Sequence, residues 1–129
     1  MAELGDREGA VNFQISDEEV NAETHVIALG GEVDLYTAPE FKERLVQLIE
    51  DGKKQIVVDL SEATFIDSTT LGVLVGGVKR LRPEGGSLLL VCNDENITKI
   101  FEITGLDRVF PIHGSREEAL GAVKTQDPE

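Results

Sequence analysis

Apolar residues recur along this chain with a period of two in some stretches and near 3.6 in others. The switches between these periods predict its elements. Val11, Phe13 and Ile15 alternate with Asn12 and Gln14, as in a half-buried strand. Residues 16–24 read as an acidic loop holding Asp17, Glu18, Glu19 and Glu23. His25 to Leu29 is a second strand, paired with the first as an antiparallel hairpin and ended by Gly30-Gly31. Glu32 to Leu35 continues extended or turning. Phe41, Leu45, Leu48 and Ile49 then follow a helical period. Thr37 and Glu40 form a capping box at its start, Pro39 fits the first turn, and Asp51-Gly52 stops it.

Ile56, Val57 and Val58 are continuously apolar, which marks a central strand covered on both faces. A polar stretch from Asp59 to Gly72 follows, read as a short connector leading into a helix. That helix buries Leu71, Leu74, Val75, Val78 and Leu81 and turns Thr69, Gly72, Val73, Gly76 and Gly77 the other way. Glycine inside a helix costs about 1 kcal/mol against alanine. Two offsets are open: close packing against a neighbouring element, or a smooth surface for another protein. After a turn at 82–86, Ser87 to Val91 is a further central strand. Asn93 or Asp94 caps a helix burying Ile97, Ile100, Phe101 and Ile103, and Gly105 ends it. Val109, Phe110 and Ile112 form a short strand. A Ser115–Glu118 capping box starts the last helix, with Ala119, Leu120 and Val123 facing inward. The order β-β-α-β-α-β-α-β-α predicts an α/β domain. Its mixed sheet has about five strands, a leading antiparallel hairpin and then parallel β-α units, with helices packed against it.

Composition narrows the function more than the fold. The 129 residues fit one domain at 11–124, with flexible tails at 1–10 and 125–129. The chain has no Trp and only 5% aromatic residues, so its core is aliphatic. A net charge of −13 argues against nucleic acid and anionic membrane and permits a basic protein partner. The lone Cys92 follows Leu88-Leu89-Leu90-Val91 and reads as a buried small hydrophobe; no internal disulfide is possible. No stretch approaches the ~18 apolar residues of a membrane span, and residues 1–10 lack a signal core. The reducing cytoplasm fits best.

Catalytic motifs are missing. The sequence has no P-loop, no G-x-G-x-x-G after a strand and no G-x-S-x-G elbow. Gly30-Gly31 and Gly85-Gly86 are the only candidates for cradling a nucleotide phosphate, as a flavodoxin-like enzyme would require, and both read better as turns. His25 and His113 are structural or solvated, and two His with one Cys are too few for zinc. Neither a catalytic residue, a cofactor nor a metal is expected.

Ser68 follows an extended segment and precedes a helical period. It therefore reads as the helix N-cap, its Oγ accepting from the N–H of Thr70 or Leu71 for about 1 kcal/mol. The same place suits a phosphate, whose charge the helix dipole partly offsets while Asp67 opposes it.

Asp59-Leu60-Ser61 followed by Phe65-Ile66-Asp67-Ser68-Thr69-Thr70-Leu71-Gly72 resembles the signature of STAS domains, specifically bacterial anti-sigma factor antagonists. Gly31-Glu32-Val33-Asp34 with Thr37-Ala38 resembles that family's other recurrent segment, and the likeness extends from about Val11 to Val123. The resemblance implies a STAS-like sheet and a non-enzymatic antagonist, which exposes its site to a kinase and so works as a monomer. Its partner would be an anti-sigma factor serine kinase, which phosphorylates Ser68 and lets go; a PP2C-type phosphatase would reset it. Asp34, Asp67, Ser68, Thr69, Thr70, Gly72 and Val73 would form the partner contact. Thr70 departs from the Gly or Ala of many relatives, narrowing the approach and making Thr69 and Thr70 alternative acceptors. The alternative role is a STAS subunit of a membrane transport complex that never switches.

Overall fold

Residues 12–123 are described in the computed structural model. Five strands, β1 (Phe13–Glu19), β2 (Thr24–Val33), β3 (Gln55–Ile66), β4 (Ser87–Val91) and β5 (Ile112–His113), lie in the order β1-β2-β3-β4-β5. β1 is antiparallel to β2, and the remaining pairs are parallel. The helices are α1 (Ala38–Glu50), α2 (Ser68–Leu81), α3 (Glu95–Thr104) and α4 (Arg116–Ala122). The mixed sheet expected from the sequence is therefore present.

Ile56, Val58 and Leu60 of β3, with Leu88 and Leu90 of β4, join Phe41 and Leu45 of α1, Leu74 of α2 and Phe101 of α3 in the main core. The intervening Val57, Leu89 and Val91, with Val26, face the opposite way under Ala119 of α4. Burial on both faces is why these strands read as unbroken apolar runs. Cys92 is buried in the main core, as expected.

Several elements depart from the sequence reading. The acidic stretch is not a loop: β1 runs through Asp17, Glu18 and Glu19, leaving 20–23 as the connection. Strand structure is possible there because each carboxylate finds a cation. Asp17 takes His25 Nε2 at 2.8 Å and also Arg44; Glu18 takes Arg116 at 3.1 Å; Glu19 takes Lys53 at 3.0 Å. Lys53 also donates to the carbonyls of Asn21 and Ala22, which closes the hairpin. His25 is thus a structural residue.

Gly30-Gly31 does not end β2, which continues to Val33. β3 continues beside it to Ile66, so the polar stretch after Asp59 is mostly strand. The pairing slips twice. Ala28 faces Asp59 but Gly30 faces Glu62, and Gly31 faces Ala63 but Glu32 faces Phe65. Each slip adds one residue to β3, as a bulge does. The buried positions consequently fall at Leu60, Ala63 and Ile66, every third residue, and the period-two signal disappears.

Thr37 makes no side-chain cap and Glu40 no capping box; the Thr37 hydroxyl instead accepts from Asp34 N at 2.9 Å. Asp94, the second of the two caps offered for α3, accepts from Asn96 N and Ile97 N. Ser115 caps α4, but Glu118 reaches back to Gly114 N, one residue short of a capping box. Ile103 is exposed, not buried. Val109 and Phe110 lie outside β5; Phe110 packs edge-on against Phe101, with ring centroids 6.1 Å apart. Val11 and both expected tails fall outside the described residues.

Asp59 links the sheet to α4. Burial would raise its pKa, but hydrogen bonds from Ser61 Oγ at 2.6 Å and Ser61 N at 2.9 Å, with the Arg116 guanidinium, hold it below the usual carboxylate range. Asp17 is lowered chiefly by its hydrogen bond to His25, and Glu19 by Lys53. A carboxylate with a depressed folded pKa contributes stability above its unfolded value of about 4 and loses it as pH falls through the folded one. The melting temperature should therefore drop as the pH falls below about 4. Asp59→Asn should flatten that drop in a pH series of thermal melts, and an unchanged slope would remove Asp59 from the cause.

Candidate functional site

The parallel strands β2 and β3 end side by side, with Val33 opposite Ile66. Each is followed at once by an aspartate that organises the next turn. Asp34 Oδ1 accepts from Tyr36 N at 3.0 Å and Thr37 N at 3.2 Å, fixing the path into α1. Asp67 has extended backbone geometry, and its Oδ1 accepts from Thr69 N at 3.0 Å and Thr70 N at 3.2 Å. The N-cap of α2 is therefore Asp67, not Ser68. A carboxylate suits that place, since it satisfies two free amides and meets the positive end of the helix.

Ser68 is consequently the first residue of the helix. Its side chain is exposed and makes no hydrogen bond with the described residues. Asp67→Ala should cost about 1 kcal/mol, whereas Ser68→Ala should stay within about 0.5 kcal/mol of the parent. Urea denaturation of the two variants checks this; the reverse ranking would return the cap to Ser68.

Thr70 also departs from expectation. It is fully buried, and its Oγ1 donates to the Val33 carbonyl at 2.8 Å. The hydroxyl pins the start of α2 to the end of β2. It neither narrows the approach to Ser68 nor offers a surface acceptor, so Thr70 leaves the contact set. Thr69 remains exposed.

The glycines of α2 divide. Gly77 is a packing residue: a Cβ there would lie 2.9 Å from Leu45 Cδ2 and 3.1 Å from Leu88 Cδ1. At Gly72 and Gly76 a Cβ would meet nothing within 4 Å. These two open a groove of about 510 Å³ between α1 and α2, which starts at Ala38 and Thr69, beside Ser68. Val73 is half-buried in its wall.

The sequence reading left out three exposed apolar side chains near this end of the sheet. Leu35 and Tyr36 lie in the turn after Asp34, and Phe65 is the last but one residue of β3, exposed where Ile66 beside it is buried; Tyr36 is 83% exposed. The available signal was position: Leu35 and Tyr36 fall between a turn-forming aspartate and a helix start, where no core lies to receive them.

A family model described as the STAS domain matches residues 16–119. An anti-sigma-B factor antagonist of Bacillus subtilis is 35% identical over 107 residues, covering 83% of this chain and 94% of the relative. The crystal structure of an anti-sigma factor antagonist from Mycobacterium paratuberculosis superposes with a TM-score of 0.80 at 27% identity, over 88% of this chain and 95% of that one. SpoIIAA of Bacillus, an anti-sigma factor antagonist, is 26% identical over 87% of this chain and 99% of its own. Its unphosphorylated form gives a TM-score of 0.73 and its phosphorylated form 0.68.

Proposed function

This chain belongs to the STAS domain family, and from that premise we propose that it is an anti-sigma factor antagonist switched at Ser68. Unmodified, it holds an anti-sigma factor that is also a serine kinase, and the sigma factor goes free. Phosphorylated on Ser68 by that kinase and ATP, it lets go, and a PP2C-type phosphatase restores it. It acts by binding and catalyses nothing itself. Its partners and ATP belong to the cytoplasm, and no helix of the described residues is long and apolar enough to cross a membrane.

The observation that carries this reading is the separation of two duties at the start of α2. Asp67 builds the helix end; Ser68, next to it, is exposed and unengaged. A phosphate on Ser68 adds roughly −1.5 to −2 charge where the dipole offsets part of it and Asp67 opposes it. The fold is little disturbed. A partner seated over Asp34, Asp67, Ser68, Thr69, Gly72 and Val73 would have to desolvate that charge, at several kcal/mol without a matching cation.

Incubation of the chain with the kinase and ATP, followed by mass spectrometric mapping, tests the acceptor. Wild type should gain one phosphate on Ser68 and Ser68→Ala none. Equal labelling of both, or label on Thr69, would reject Ser68.

A further inference from the structure

We infer that the groove between α1 and α2 receives a helical segment of the anti-sigma factor that carries a carboxylate among apolar side chains. This rests on the antagonist reading and names the chemistry of the contact beside Ser68.

Apart from Thr69, the inner stretch of the groove is lined by apolar residues and glycine, among them Leu45, Val46, Val73 and Gly76, and by Lys42 and Arg80 as its only charged groups. The protein carries a net charge of −13, yet the inner lining holds two cations and no carboxylate. Neither takes part in an ion pair among the described residues; Lys79 and Lys99 do not either, and what sets Lys42 and Arg80 apart is that both line the groove. Glu40 and Glu43 line the adjoining outer stretch toward Tyr36, which Lys42 and Arg80 line too, so the two cations stand between the apolar floor and these acids.

The shape is not required by the fold. Gly72 and Gly76 weaken α2, and side chains there would project into open space. What the two glycines provide is room. From Thr69 to Arg80 the groove follows α2 for about 16 Å, the length of roughly three helical turns. An amphipathic helix laid there presents apolar residues at i, i+3 and i+7 to the floor. Lys42, one turn into α1, and Arg80, near the far end of α2, offer it cations, and a carboxylate placed between them sets the register. Its near end reaches Ser68, so one bound segment spans both the anchor and the switch.

The test uses the anti-sigma factor recovered on immobilised Ser68→Ala chain, identified by mass spectrometry and purified. Its affinity is measured for wild type, Ser68→Glu, Gly76→Leu and the double variant Lys42→Glu/Arg80→Glu, with a thermal melt of each. The charge reversal should weaken binding at least 100-fold, and Gly76→Leu, which fills the groove without an internal clash, at least tenfold. Gly76→Leu should not lower the melting temperature, and the charge reversal, which puts an acid in the last turn of α2, should lower it by only a few degrees. Groove variants that bind within twofold of wild type, while Ser68→Glu does not bind, would overturn the groove and leave the switch standing. Weak binding by the groove variants with Ser68→Glu unaffected would uphold the groove and sink the switch. If the charge reversal instead changes the mass of the isolated chain in sedimentation, the occupant is a second copy and the inference is wrong.

Discussion

Gly31→Ala should destabilise the domain by about 3 kcal/mol or more and lower its melting temperature by roughly 10 °C. Gly31 has φ +77°, in the left-handed region. A Cβ there would lie 1.3 Å from the Asn12 carbonyl oxygen, which is backbone and accepts from Glu32 N at 2.6 Å. Strain and clash therefore act together, and the main chain of β1 would have to move. The position matters for the site as well as for the fold. The second register slip between β2 and β3 falls directly after Gly31. It sets the path of Glu32 and Val33, and so the carbonyl that Thr70 grips. Gly52→Ala is the control: it also has positive φ, but nothing lies within 4 Å of its Cβ. Its cost should be about 1 kcal/mol. Equal losses in the two variants would show that the approach of β1 is not what demands glycine at 31.

Ser68→Glu should abolish measurable binding of the anti-sigma factor, a loss of at least about 100-fold, or about 2.7 kcal/mol. The same variant should melt within about 2 °C of the parent. The two numbers differ because the charge has different surroundings in the two states. In the free chain it is exposed at a helix N-terminus, which favours it by a few tenths of a kcal/mol and is opposed by Asp67. In the complex it is stripped of water. Calorimetric titration with a parallel thermal melt measures both. Loss of binding together with a large drop in melting temperature would mean that the surface failed because the fold did.

The sequence was most legible where a single period held. Ile56-Val57-Val58 and Leu88-Leu89-Leu90 are buried on both faces, as their continuity implied. The spacing of Phe41, Leu45 and Leu48 likewise marked the inner face of α1. It was least legible where pairing overrides local character. Asp17, Glu18 and Glu19 look like a loop until Arg44, Arg116 and Lys53, distant in sequence, are brought beside them. β3 hides its last residues because two extra residues stretch its burial period from two to three. At the start of α2, the helical period marked the helix start but assigned the cap to Ser68 and not to its neighbour Asp67. Asp67 and Ser68 are both good capping residues, and only the extended backbone of Asp67 decides between them. Thr70 looks like a surface residue for a different reason: its partner is the Val33 carbonyl, 37 residues earlier, which no local pattern reveals.

The central claim is that phosphate on Ser68 ends binding without undoing the fold. Its most direct test is a titration of the purified anti-sigma factor with the unmodified chain and with the same chain fully phosphorylated on Ser68. The affinity should fall by at least about 100-fold on phosphorylation, while both forms give the same folded circular dichroism spectrum. Affinities within twofold of each other would contradict it.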